Sequence, residues 1–265
     1  MKESRKPVCA NSDRSGKGMS KIRRAYFLRL VFRGFVFLAC LLTALYRPRE
    51  YDILHGGNFF LKLSPFHALW IIWIIDMLLQ LIPVRNALPL GSQKLFHFRF
   101  QPIKDAINYK ALRKHIIGTT KAAYKVMLLW AVLTAALSAL RWRDMLSDIT
   151  LFLISSAFYV CDLICVLIWC PFRLILQNRC CTTCRIFNWD HLMMFTPMLA
   201  VSGFYSRSLL LMAVIVWLLW ELCVMMYPER FWEHSNKALQ CSNCTDKLCT
   251  QYCQKLRKDN NPIVT

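Results

Sequence analysis

The chain has 265 residues, 56% of them hydrophobic, and carries a formal net charge of +19. A mean hydropathy of +0.35 excludes an ordinary soluble domain, in which roughly 45–50% of residues are apolar. The basic residues flank apolar runs instead of forming one continuous stripe, so no nucleic-acid partner is expected, and a rim beside anionic lipid headgroups fits better.

Residues 1–24 read as a basic, disordered cytoplasmic tail. From residue 25 to 227 the chain reads as a transmembrane helical domain. Its apolar runs cover Tyr26–Tyr46, Phe66–Ile82, Ala122–Leu140 and Ile149–Cys170, followed by a longer stretch from Phe187 to Tyr227. About 20 residues cross a bilayer, so the long stretch divides at Tyr205–Ser208 into Phe187–Phe204 and Leu209–Tyr227. Pro197 and Gly203 weaken the fifth run and leave room for a re-entrant segment. The expected fold is therefore all-α: a polytopic membrane bundle of about six transmembrane helices, with a short Cys-rich cytoplasmic tail over 228–265.

Lys and Arg counts alternate in register with six spans. Eight precede Ala25, three lie in Arg47–Pro65, eight in Pro83–Lys121, two in Arg141–Asp148, three between spans four and five, one in the hairpin turn and six after Tyr227. The positive-inside tendency then places both termini in the cytoplasm. Within the second basic loop, Ile103, Ala106, Ile107, Leu112 and Ile116 recur at near-helical spacing among Lys104, Lys110, Arg113 and Lys114. This pattern predicts a basic amphipathic helix over about 103–117 at the cytoplasmic interface.

Two cysteine clusters follow apolar runs. The first is Cys170, Cys180, Cys181 and Cys184; the second is Cys241, Cys244, Cys249 and Cys253. On the reducing side of a membrane, such clusters read as soft-metal ligands and not as disulfides. Each contains a C-x2-C pair, a turn that lets two thiolates reach one ion without strain. The tail run C-x2-C-x4-C-x3-C is similar in spacing to a zinc knuckle, but a knuckle has His at the third ligand, a different last interval and a glycine near the tip. It also departs from the ferredoxin run C-x2-C-x2-C-x3-C-P in its middle interval and its missing proline. The expected cofactor is an iron–sulfur cluster or zinc, in one shared site or two separate ones.

Asp76, Asp162 and Glu221 fall inside predicted spans. An ionised Asp at a helix centre costs ~2.5–3.5 kcal/mol, so each acid needs a partner, a water path or a proton. They are the candidate proton-handling residues, with Arg29, Arg33 or Lys125 as alternative ion-pair partners. Asp190 and His191 are expected as a solvated helix-start pair, with a ligand or proton-shuttle role for His191 as the alternative. Trp142, Trp189 and Trp232 are expected as interface anchors. Whether the chain is an enzyme is left open: it has no phosphate loop, H-E-x-x-H or G-x-S-x-G context. Two functional readings follow. One is membrane electron transfer through an iron–sulfur centre, with a soluble redox donor or a membrane subunit as partner. The other is a transporter, sensor or scaffold whose tail is fixed by structural zinc.

Overall fold

A computed structural model describes residues 21–83, 89–103, 107–176, 180–240 and 243, the side chain of Lys21 excepted. In chain order its helices are α1 (Lys21–Tyr46), α2 (Asn58–Leu61), α3 (Phe66–Leu81), α4 (Leu90–Gln93), α5 (Tyr109–Trp142), α6 (Asp148–Leu167), α7 (Arg173–Leu176), α8 (Asp190–Phe195) and α9 (Phe204–Met226). Among the described residues there is no strand, only two isolated β-bridges. The fold is all-helical.

Four helices are long and apolar enough to cross a membrane: α1, α5, α6 and α9. At 1.5 Å per residue, α3 with its 16 residues reaches only about 24 Å, short of a hydrocarbon core of about 30 Å. The fifth predicted run is not one helix. It consists of a 3-10 turn at Phe187–Trp189, α8, and a second 3-10 turn at Thr196–Ala200. Pro197 sits in the first positions of that last turn, where a missing N–H is tolerated but a continuing α-helix is not. The broken backbone is shielded because Met194, Phe195 and Met198 are buried and the segment packs on α5, α6 and α9. Non-helical backbone at membrane depth is tolerated in such protein-buried positions.

Local chemistry sets the helix starts. The Asn108 side chain accepts from the Ala111 N–H at 3.0 Å to cap α5, and Ser147 Oγ accepts from the Thr150 N–H at 3.2 Å to cap α6. The described part of the predicted interfacial helix, from Tyr109, is continuous with the third span. Over 34 residues α5 is about 51 Å long, and its basic first turns extend beyond a bilayer's apolar core. Residues 104–106 lie outside the described residues.

The main core surrounds Trp73, Phe152, Tyr205, Tyr51 and Phe195. At its outer edge, Gly56 N–H donates to Ser202 O at 2.9 Å and Phe204 N–H to Gly56 O at 3.3 Å. A Cβ on Gly203 would overlap the Leu54 carbonyl, so this close backbone approach requires glycine. A second core at the opposite end joins Ala123, Val126, Trp189, Trp220, Val224 and Phe231. Residues 228–240, which the sequence placed in the tail, fold back onto the body. Lys237 N–H donates to Gln101 O at 2.8 Å, and the buried Asn236 side chain accepts from the Gln101 N–H at 3.1 Å.

Candidate functional site: a polar cavity between five helices

Arg33 organises the site. It lies on the face of α1 that carries Tyr26 and Arg29, at the spacing that keeps side chains together on a helix. Its Nη1 donates to Asp162 Oδ2 at 2.7 Å and to the Tyr159 carbonyl at 2.8 Å, both on α6. Its Nη2 lies 3.7 Å from Asp76 Oδ2 on α3, and the guanidinium carbon sits 3.9 Å from the centre of the Tyr159 ring. Tyr159 completes the arrangement by donating its hydroxyl to Asp76 Oδ2 at 3.0 Å. One guanidinium thus serves two carboxylates on two different helices.

A second polar group adjoins the first. Gln80 Nε2 donates to Asp190 Oδ1 and Oδ2 at 3.2 and 3.0 Å and lies 3.1 Å from His191 Nδ1. His191 Nδ1 is 3.3 Å from Asp190 Oδ1. The expected solvated pair is therefore corrected. His191 is only 4% exposed, because the broken segment carries it into the bundle and not along its surface. Its Nε2 and the Oε1 of Gln80 are buried with no hydrogen-bond partner among the described residues.

Arg33, Asp76, Asp162, Gln80, Asp190 and His191 line one cavity of about 60 Å³, together with Tyr26, Arg29, Ser92 and Phe187. A single water needs about 10–15 Å³ by such a measure, so there is room for a few. The walls come from one end of the bundle: the N-terminal part of α1, the last turns of α3 and α6, the start of α8, and α4 as a lid edge. Side-chain exposures of 32% for Asp76 and 24% for Asp162 leave both carboxylates accessible from it.

Glu221 lies elsewhere. Arg185 grips it through Nη1 to Oε1 at 2.7 Å and Nη2 to Oε2 at 2.5 Å, and Trp189 Nε1 adds a third bond at 2.9 Å. Trp189 is fully buried, not an interface anchor; Trp142, by contrast, is 91% exposed. Of the three acids singled out by sequence, the structure brings Asp76 and Asp162 together and sets Glu221 apart in a bidentate ion pair.

The membrane-proximal cysteines occupy the loop after α7 and the turn before it. Cys180 Sγ is 2.8 Å from Thr182 Oγ1, and Arg173 Nη2 donates to Cys181 Sγ at 3.3 Å. Burial pushes the Cys181 thiol up to about 11 despite that arginine, so metal binding there must displace a proton. Among the described residues, no three His, Cys, Asp or Glu side chains gather closely enough to hold a metal ion. Cys241, Cys244, Cys249 and Cys253 lie outside the described residues.

Lys94, which the sequence did not single out, is fully buried beside this loop. Its Nζ donates to Thr182 O at 3.0 Å and Cys184 O at 2.8 Å, and it lies 5.1 Å from the Trp220 ring centre. Burial lowers its pKa from 10.5 to about 7. Between those values the unfolded chain holds a proton that the folded chain has released, so stability rises with pH across the window. The gain is at most about 1.4 kcal/mol per pH unit. Denaturant unfolding in micelles at several pH values should show this slope in the wild type and lose it in Lys94→Met.

Compared with known proteins, the chain matches no family model, no curated protein and no solved structure. Its function must be argued from the site.

Proposed function

We propose that the chain is an integral membrane protein that crosses the bilayer six times, with both termini cytoplasmic, and that it works by taking up and releasing a proton in the Arg33–Asp76–Asp162 cavity. The charge alternation along the sequence supports the topology, with α3 and the broken 187–200 segment as the two short crossings. One observation carries the proton reading: two carboxylates share a single guanidinium, which leaves the group one positive charge short in a low-dielectric setting. Arg29 is exposed and pairs with neither carboxylate among the described residues, and His191 at best balances Asp190. A proton on Asp76 or Asp162 makes the group neutral, and the cavity's water-sized space gives that proton a path.

Infrared titration of the protein in nanodiscs tests this reading. At neutral pH the wild type should show a protonated-carboxyl band that Asp76→Asn or Asp162→Asn removes, since either substitution leaves one carboxylate for the one guanidinium. A spectrum without such a band at any pH would end the proposal.

A second reading keeps the cysteines as ligands of zinc or an iron–sulfur centre, in a redox or structural role. Supporting it is α4, which joins the neighbourhoods of both clusters. Leu90 packs on Ala238 and Leu239, just before Cys241, while Lys94 holds the carbonyls of Thr182 and Cys184. Anaerobically purified protein should then contain metal that Cys181→Ser or Cys244→Ser depletes, since a hydroxyl is a poor substitute for a thiolate. An impermeant thiol reagent on intact cells should fail to label the tail. Full metal content in both variants refutes the shared site, and a labelled tail refutes the topology.

A further inference from the structure

We propose that the same cavity binds a zwitterionic head group, with its primary ammonium against Asp76 and Asp162 and its anionic group towards Arg29 and Ser92. The inference rests on the proton reading, because the ammonium is the cation that would compete with the proton for the group's missing positive charge.

The lining carries several free acceptors. Tyr159 and Arg33 engage Oδ2 of Asp76, and Arg33 engages Oδ2 of Asp162; Oδ1 of each carries no hydrogen bond among the described residues. Gln80 Oε1 is a third unengaged acceptor, on a side chain only 8% exposed. Free carboxylate oxygens and one surplus negative charge suit an ammonium, which has three donors and no acceptor. A divalent metal is a poorer fit: calcium takes six to eight oxygen ligands, and among the described residues no three metal-ligating side chains converge. A quaternary ammonium offers no N–H at all.

The same lining also presents donors. Arg29, one turn before Arg33, is exposed and forms no ion pair among the described residues, and the buried Ser92 Oγ has no partner there. Both are donors. A cavity that offers free donors as well as free acceptors complements an ammonium and an anion a few bonds apart, as in an ethanolamine phosphate. That chemistry has two sources, a soluble amine phosphate or the head of an aminophospholipid entering beside α1.

Isothermal titration on the full chain in phosphatidylcholine nanodiscs should show O-phosphoethanolamine binding at least about tenfold tighter than phosphocholine, and weakening as pH falls. Asp76→Asn should cost about tenfold, as should Gln80→Leu, which keeps every charge in place should the first variant fold poorly. Arg29→Gln should reduce phosphoethanolamine affinity to that of ethanolamine. Binding that disappears in phosphatidylethanolamine nanodiscs identifies the lipid head as the occupant; binding that persists there identifies the soluble amine. Equal affinity for phosphocholine, or no binding of phosphoethanolamine in phosphatidylcholine discs, overturns the inference. The carboxyl band then shows separately whether the proton reading survives.

Discussion

Arg33→Met should lower stability by about 3–5 kcal/mol, the usual result of removing one partner from a buried ion pair. The expectation follows from how much one side chain holds. Loss of the guanidinium leaves Asp162 without its donor at 2.7 Å, the Tyr159 carbonyl without its donor at 2.8 Å, and Asp76 with only the Tyr159 hydroxyl. It also releases α1 from α3, which Arg33 reaches across the cavity. Adding Asp162→Asn to Arg33→Met should recover part of the loss, because a neutral amide tolerates the missing cation. A double-mutant cycle from denaturant unfolding in micelles measures the coupling. A loss below about 1 kcal/mol, typical of exposed pairs, would mean that Arg33 is solvated and the cavity open to bulk water.

Arg33 also shows how far sequence reasoning reaches. The apolar runs, the intramembrane acids and a short set of cationic partners were all legible, because burying a charge in hydrocarbon demands compensation wherever it occurs. Which cation pairs with which acid was not, since Arg29, Arg33 and Lys125 are equivalent until helix rotation is known. The structure selects Arg33 because α1 packs along α6 and turns its Tyr26–Arg33 face inward. Asp190 and His191 looked like surface residues because a polar pair at the head of an apolar run ordinarily faces water. Pro197 and the two 3-10 turns shorten that run and draw the pair into the bundle. Lys94 directly follows a four-residue helix that begins after Pro89, too short to show any periodicity. The N-terminal basic residues of α5 do have helical spacing, but spacing alone does not distinguish a helix lying at the interface from one that runs on into the membrane.

Glu221→Gln should also cost about 3–5 kcal/mol, yet leave the carboxyl band of the cavity unchanged. Both oxygens of Glu221 are committed: Oε1 accepts from Arg185 Nη1 and Trp189 Nε1, and Oε2 from Arg185 Nη2. A glutamine keeps one acceptor but turns its amide N–H groups towards an arginine donor. Arg185, at 5% side-chain exposure, then stays charged and half-satisfied next to Trp220, whose Nε1 donates to the Arg185 carbonyl at 2.9 Å. The damage should therefore spread through the second core, and near-ultraviolet dichroism of Trp189 and Trp220 should report it. Replacing both partners by methionine should recover most of the stability, because a buried ion pair contributes little over well-packed apolar groups of similar volume. If Glu221→Gln instead folds like the wild type and the carboxyl band disappears, Glu221 is the group that takes the proton, and the assignment to Asp76 and Asp162 fails.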